Sequence, residues 1–140
     1  MRFLLDTNQW RFIQRKHPAV LARLMSLPPS AELYMSVISQ GELLGGVEAL
    51  PNGRRKAELR LLYEQVIRSA RELIPVQPSV AEKYASVFAD LRKSGRPIVT
   101  NDIWIGATAI SRDLVLVTND AHMGYIRGLR IEDWTVPATS

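Results

Sequence analysis

The sequence predicts a single α/β domain over residues 1–140, with a parallel β-sheet flanked by helices. Two short apolar runs, at 3–5 and 114–117, resemble strands covered on both faces, which is typical of parallel sheets. Stretches with helical periodicity lie between the candidate strands, and this alternation favours an α/β fold. A chain of 140 residues suits one domain with a substantial core, and no repeat, low-complexity tract or linker divides it.

Prolines and glycines delimit the elements of the N-terminal half, because they break helices and occupy turns. Pro18 suits the first turn of a helix, and a proline pair at 28–29 ends that helix. The predicted elements are, in order, a strand at 3–5, a helix at 9–14, a helix at 19–27, a weak strand at 32–35 and a helix at 36–50 closed by a turn at 51–53.

Amphipathic periodicity and caps identify the elements of the C-terminal half. Ser79 and Glu82 form a capping-box pattern at the start of one helix, and residues 102–111 are apolar almost all round, as in a buried helix. The predicted elements are, in order, a long helix at 54–73, an extended link or strand at 74–76, a helix from 79 to Gly95, a buried helix at 102–111, a strand at 114–117 and an edge strand at 129–134.

Composition excludes several classes of protein. The chain has no cysteine, which excludes disulfides, thiolate metal sites and a cysteine nucleophile, and agrees with a reducing cytoplasm. No apolar run approaches the roughly 20 residues of a membrane-spanning helix. A net charge of +4 permits a polyanionic partner without requiring one.

Four acidic residues stand out by their positions. Asp6 follows the first predicted strand and Asp120 follows the strand in LVLVTND, so both lie at carboxyl ends of strands, where open α/β sheets bind ligands. Asp102 opens the most apolar helix. Glu42 lies inside a helix whose neighbouring turn contains small residues, including Gly45 and Gly46. Because each helical glycine costs about 1 kcal/mol relative to alanine, the pair predicts close approach of another group.

Each acid alone has a simpler interpretation: Asp6 as a helix cap, Asp102 as a first-turn acid, Asp120 as a turn residue and Glu42 as an incidental helix residue. Together they predict a cation site, because clustered like charges are unfavourable without a counter-ion. Oxygen ligands favour Mg²⁺ or Mn²⁺ over zinc. Neither His17 nor His122 has a partner histidine at zinc-site spacing, and His17, which precedes Pro18, suits a helix cap instead.

Four stretches resemble the PIN-domain nucleases, and most closely the VapC-type toxins of bacterial toxin–antitoxin pairs. They are LLDTN, SVISQGEL, GRPIVTNDIWIGATA and LVTNDAHM followed by GLRIEDW, and they occur in the family's order over almost the whole chain. Met123 stands where many relatives have Phe, and Gly106 where Ala is usual. The resemblance implies a PIN-like sheet with acids at its C-terminal edge, and Mg²⁺- or Mn²⁺-dependent cleavage of RNA. It also implies a small antitoxin partner, a homodimer and a cytoplasmic location.

Carried over by position, the resemblance implies that Asp6, Glu42, Asp102 and Asp120 are the catalytic acids. Asp6, Asp102 and Asp120 are expected to hold the metal ion, while Glu42 binds a second metal or orients the attacking water. The flanking polar residues expected to hold the carboxylates are Thr7, Asn8, Thr118 and Asn119. The basic residues considered for RNA binding are Arg11, Arg15, Lys16, Arg54, Arg55 and Arg96.

Three alternatives to a toxin nuclease are open at this point. A phosphotransferase with an aspartate nucleophile, like the haloacid dehalogenases, needs a second aspartate two residues after the first, where this chain has Asn8. An RNA-binding PIN module without nuclease activity is disfavoured by the intact set of four acids. An RNA-processing nuclease without a toxin role has the same residues, and the target RNA is not visible in the sequence.

Overall fold

The computed structural model describes residues 1–137, and these contain one sheet of five parallel strands. The order across the sheet is β3-β2-β1-β4-β5. The predicted α/β class with a parallel sheet is confirmed. The strands are β1 (Arg2–Leu5), β2 (Glu32–Ser36), β3 (Glu72–Ile74), β4 (Val115–Val117) and β5 (Ile131–Glu132).

Helices cover both faces of the sheet. The central strand β1 places Phe3 and Leu5 in one core and Leu4 in the other, because successive strand side chains point to opposite faces. Helices α1 to α4 contribute to the Phe3 core, and α5 and α6 pack over Leu4. The helices are α1 (Thr7–Gln14), α2 (Pro18–Ser26), α3 (Val37–Glu48), α4 (Arg54–Ser69), α5 (Pro78–Lys93) and α6 (Thr100–Ser111), with a 3₁₀ segment at Ala121–Tyr125.

The strand order reverses at the boundary between β1 and β4. From β1 the chain adds β2 and β3 on one side, and it then adds β4 and β5 on the other. Such a reversal opens a crevice at the carboxyl ends of the two adjoining strands, which is where ligands bind in open α/β sheets. The register pairs Leu5 with Val117, so Asp6 and Thr118 leave the sheet side by side.

The prediction of one helix over 54–73 was wrong at its C-terminal end. Helix α4 stops at Ser69, and Glu72–Ile74 forms the edge strand β3, paired in parallel with β2. The N–H of Arg71 already donates to the carbonyl of Leu33, at 2.7 Å. Leu73 fits both a helical and a strand pattern, and pairing with β2 decided between them. The predicted extended segment at 74–76 lies two residues too late.

Several other boundaries also differ. Helix α5 begins at Pro78 with Gln77 as its cap, so Ser79 lies inside the first turn and the predicted capping box was wrong. Helix α1 begins at Thr7, earlier than the predicted residue 9, because Asp6 caps it. Helix α6 begins at Thr100, and β5 is confined to Ile131–Glu132. Within residues 1–137, none of the helices combines the length and the hydropathy needed to cross a membrane.

Candidate active site

Asp6 stands at the junction of β1 and α1, and both of its carboxylate oxygens are hydrogen-bonded. Oδ1 accepts from the N–H of Thr7 at 2.8 Å, and Oδ2 accepts from the Thr118 hydroxyl at 2.9 Å. The Asp6 N–H continues the sheet by donating to the carbonyl of Val117, at 2.9 Å. Its carboxylate is therefore fixed in orientation at the mouth of the β1/β4 crevice.

The Thr118 hydroxyl connects Asp6 with Asp120. It donates to Asp6, and its oxygen accepts from the N–H of Asp120, at 3.1 Å. Thr118 is only 2% exposed, so these bonds form away from competing water. The Asp120 carboxylate in turn caps the 3₁₀ segment, with Oδ1 accepting from the His122 N–H at 2.9 Å and lying 3.0 Å from His122 Nδ1.

Glu42 reaches the same region from α3. Its Oε1 accepts from the Thr7 hydroxyl at 2.6 Å, and Ser39 Oγ lies 2.8 Å from the same hydroxyl. A hydroxyl has one proton, so when Thr7 donates to Glu42 its contact with Ser39 uses the Ser39 proton. Ser36 is both the last residue of β2 and the N-cap of α3. Ser39 and Glu42 therefore lie on successive turns of α3 that face α1.

Asp102 lies in the first turn of α6 and is half-buried. Burial raises the pKa of its carboxyl from 3.8 to about 6, with further contributions from the charges of Asp6, Asp120 and Glu42, while His122 opposes the shift. A helix N-terminus by itself stabilises a carboxylate, and here that effect is outweighed because the pKa rises.

Asp6 responds to the same neighbours. Burial raises its pKa, the hydrogen bonds from Thr118 and Thr7 lower it, and the charges of Glu42 and Asp120 raise it. The structure therefore brings the predicted acids into one electrostatic group. In this arrangement, among residues 1–137, no three Asp, Glu or His side chains lie close enough together to hold one metal ion.

The predicted flanking residues divide into two groups. Thr7 and Thr118 contact the acids directly, as described above, and Asn119 Oδ1 accepts from Gln9 Nε2 at 3.1 Å. Asn8 is exposed and instead accepts from the Arg11 guanidinium, at 2.7 Å. Of the other basic residues considered for RNA binding, Arg96 lies over the ring of Tyr125, with its Cζ 4.9 Å from the ring centroid.

Sequence reasoning did not assign Gln9, Ser39 or His122 to this site. Gln9 and Ser39 are fully buried polar residues, and Gln9 Oε1 has no hydrogen-bond partner among the described residues. Their contacts with Asn119 and Thr7 join residues far apart in the chain, and no spacing rule indicates them. A capping pattern at Asp120 could have indicated His122, since its N–H is two residues after that acid.

Two other expectations have clear outcomes. The rest of the chain does not approach the paired glycines of α3: a Cβ at Gly45 or Gly46 would meet no described atom within 4 Å beyond its chain neighbours and its own helix backbone. The predicted close approach is therefore not made within residues 1–137. His17 caps α2, its Nδ1 accepting from the Val20 N–H at 3.3 Å, as the sequence suggested.

Comparison with known proteins agrees with this geometry. The PIN domain profile matches residues 3–129. The chain belongs to the PIN-domain family. Its relatives include Ribonuclease VapC1 of Haemophilus influenzae strain R2866, which is 31% identical over 96% of this chain and 99% of that protein. Toxin FitB of Neisseria gonorrhoeae is 36% identical over 84% of this chain and 86% of FitB.

A third relative has a named RNA target. The tRNA(fMet)-specific endonuclease VapC of Shigella flexneri is 28% identical, over 96% of this chain and 99% of the relative. Among solved structures, that of VapBC-1 from nontypeable Haemophilus influenzae superimposes with a TM-score of 0.85 at 27% identity, over 97% of this chain and all of the matched chain. The chain is thus a homologue of VapC ribonucleases, and the family predicted from its motifs is confirmed.

Proposed function

We propose that this chain is an endoribonuclease that requires Mg²⁺ or Mn²⁺ and acts as the toxin of a toxin–antitoxin pair. The observation that carries the proposal is the grouping of the four acids at the strand-order reversal, where the Thr118 hydroxyl contacts both Asp6 and Asp120. Burial, followed by the charges of the other three acids, raises the pKa of Asp102 in this group. Because the clustered carboxylates disfavour one another's ionised forms, a bound cation would stabilise them. The similarity to VapC ribonucleases supports the same activity.

The donor set fits a hard divalent cation. Asp6, Glu42, Asp102 and Asp120 offer only carboxylate oxygens, the ligands that Mg²⁺ and Mn²⁺ prefer. Asp6, Asp102 and Asp120 would hold the ion, with Glu42 at a second ion or on the attacking water. A bound divalent ion would stabilise charge on the scissile phosphate and make a water more nucleophilic.

The protein's own groups orient these acids. The Thr118 hydroxyl holds Asp6 and the backbone of Asp120 in fixed relation, and the Thr7 hydroxyl holds Glu42. Such supporting hydrogen bonds fix the orientation of carboxylates that would bind a metal ion. Gln9 fixes Asn119 between Thr118 and Asp120, so the loop after β4 is braced against α1.

The proposed reaction is hydrolysis. The oxygen of a water adds to the phosphorus and the P–O3′ bond breaks. The water gives up a proton to the site, and the departing 3′ oxygen takes one up. The products are a 5′-phosphate and a 3′-hydroxyl end. Glu42, which accepts a hydrogen bond from Thr7 and is partly buried, would orient that water.

A small antitoxin that blocks the crevice, a homodimer and a cytoplasmic location complete the proposal. The antitoxin partner is supported by the similarity to Toxin FitB and to the VapBC-1 structure. The proposed RNA target agrees with a cytoplasmic location, because RNA is abundant there. The candidate targets are tRNA, ribosomal RNA and mRNA, and tRNA(fMet) is the first to test because the Shigella flexneri relative is specific for it.

The test is sequencing of RNA 5′-phosphate ends after brief induction of the protein, beside Asp6→Ala and Asp90→Ala. Asp90 is a carboxylate on α5 whose Oδ1 lies 3.8 Å from Arg127 Nη2. Asp90→Ala therefore controls for the loss of one negative charge. New ends at defined sites, present with the wild type and Asp90→Ala but absent with Asp6→Ala, establish the nuclease and its target. Identical end maps for all three proteins refute it and favour an RNA-binding module or a phosphotransferase.

A further inference from the structure

An aromatic ring is held in solvent beside the acidic group. Tyr125 ends the 3₁₀ segment and is 41% exposed. Its neighbours Met123 and Ile126 are 0% and 3% exposed and pack into the core beneath it. The ring is therefore carried by an anchored segment, and its exposure is built into the fold.

A continuous series of contacts joins this ring to Asp120. His122 Nδ1 lies 3.0 Å from Asp120 Oδ1. The His122 and Tyr125 ring centroids are 5.8 Å apart, with the planes at 77°. Arg96 Cζ lies 4.9 Å from the Tyr125 centroid, within the range of a cation–π contact. We call Arg96, His122 and Tyr125 the Tyr125 platform.

The charge of Arg96 is available to a ligand. Within residues 1–137 its guanidinium forms no salt bridge, whereas Arg23, Arg60 and Arg112 each pair with a glutamate at 3.1 Å or less. The Arg96 backbone is fixed, because its N–H donates to the carbonyl of Leu91 at the end of α5, at 2.9 Å. A planar guanidinium over an aromatic ring suits both phosphate pairing and base stacking.

The other exposed aromatic group is a weaker candidate. Phe88 is 42% exposed and has Arg92 over it at 5.9 Å, but its other neighbour, Tyr84, is stacked on Trp104 with centroids 4.0 Å apart. Those rings already pack on one another, and none of the described hydrogen bonds or ring contacts links them to the four acids. Phe88 is therefore a matched control for Tyr125.

We propose that the Tyr125 platform binds the nucleotide next to the scissile phosphate. One base stacks on the exposed side of the Tyr125–Arg96 pair, and Arg96 pairs with the adjoining phosphate. The inference rests on the proposed nuclease function, because it takes the four acids as the cleavage site. A stacking contact accepts any base, so the Tyr125 platform would position the RNA strand and other contacts would determine sequence specificity.

The first test is metal-free binding, so that cleavage does not enter. The full chain in EDTA at low ionic strength is titrated with a short fluorescein-labelled oligoadenylate, and anisotropy is followed. Tyr125→Ala should weaken binding about 5- to 150-fold, the range for loss of one stacked base. Tyr125→Phe should bind like the wild type, and so should Phe88→Ala. Arg96→Ala should reduce the slope of the logarithm of the binding constant against the logarithm of salt concentration by the amount expected for about one phosphate contact.

The second test locates the stacked base. A substrate identified by end sequencing is prepared with an abasic site at each position around the cut, and KM and kcat are measured with Mn²⁺. At one position, the abasic substrate should lower kcat/KM of the wild type by the same factor as Tyr125→Ala lowers it on the intact substrate. Tyr125→Ala acting on that abasic substrate should show little further loss of kcat/KM. Additive losses at every position overturn the proposal.

The two tests separate this inference from the nuclease proposal. If the chain cleaves no RNA but Tyr125→Ala still weakens oligoadenylate binding while Tyr125→Phe does not, the nuclease function fails and the base-binding surface stands. Three binding results overturn the platform: no binding by the wild type, equal binding by wild type and Tyr125→Ala, or a loss in Tyr125→Phe as large as in Tyr125→Ala. Thermal melting of each variant confirms that it is folded.

Discussion

Thr118 and Asp6 directly follow two strands that pair only in the folded chain, and the Thr118 hydroxyl donates to the Asp6 carboxylate at 2.9 Å. The same hydroxyl oxygen accepts from the N–H of Asp120. One buried side chain thus sets the relative position of two candidate metal ligands.

Thr118→Val should keep the volume of this side chain and remove both hydrogen bonds. We expect RNA cleavage to fall about 10- to 100-fold at limiting Mn²⁺, the usual effect of losing a group that orients metal ligands. Thr118→Ser retains the hydroxyl and should restore most of the activity. The measurement is the cleavage rate as a function of Mn²⁺ concentration. Equal activity in the Val and Ser variants would show that the hydroxyl is not needed.

Mn²⁺ should raise the melting temperature of the wild type. Saturation to about 100 times Kd adds about 2.7 kcal/mol to the free energy of unfolding, or roughly 5 to 10 °C for a chain of this size. Asp102→Asn should melt higher than the wild type in EDTA, because it removes a charge that is disfavoured by burial and by the other three acids. It should also show a smaller rise with Mn²⁺. Asp90→Asn serves as the control and should respond to Mn²⁺ as the wild type does.

The stability of the metal-free protein should depend on pH through Asp102. Its folded pKa is about 6 and its ordinary value is 3.8, so between these values the folded chain binds more protons than the unfolded chain. The Asp102 contribution is therefore fully present below about pH 4 and is lost as the pH rises through about 6.

Urea denaturation in EDTA at about pH 4 and about pH 7 measures this effect as the difference between wild type and Asp102→Asn. The difference is informative because other groups act in the opposite sense, for example Glu32, whose pKa is lowered by Tyr34. The variant should lose less stability than the wild type between the two pH values. Parallel changes in both proteins would contradict a raised pKa at Asp102.

Two glycine-to-alanine changes should affect the free energy of unfolding differently. Gly45→Ala has open space around the new Cβ and should stabilise the protein by about 0.5 to 1 kcal/mol. At Gly106 a Cβ would lie 2.7 Å from Ile126 Cδ1 in a buried position, so the tip of Ile126 must move. We expect Gly106→Ala to be neutral to about 2 kcal/mol less stable. Chemical denaturation compares the two, and equal gains would show that Ile126 repacks without cost.

The predictable parts of this fold are those in which burial and local chemistry agree. Residues 3–5 and 114–117 are apolar and are followed directly by polar residues, so both strands and the acids after them could be found. The edge strand Glu72–Ile74 was missed because only its pairing with β2 separates it from the preceding helix. The capping box at Ser79 failed because Pro78 already provides a first helical residue, which moves the cap to Gln77.

The site shows the same division. Asp6 and Asp120 could be inferred from strand ends, since parallel strands bring their carboxyl ends to one edge. The contacts of Thr7 with Ser39 and of Gln9 with Asn119 could not, because they depend on how α1 packs against α3 and the loop after β4. Glu42 and Asp102 were singled out by their positions, beside small helical residues and at the start of the most apolar helix, and the family motifs then implied their role as catalytic acids.

The central strand β1 has a further consequence during translation. It is synthesised before both of its neighbours in the sheet, and residues 6–114 are made between β1 and β4. Until residue 120 has left the ribosome, Asp6 lacks the hydroxyl that orients it and the acidic group lacks its last member. A nascent chain therefore carries an unfinished site until residue 120 is available to fold, and the order of the strands sets this delay.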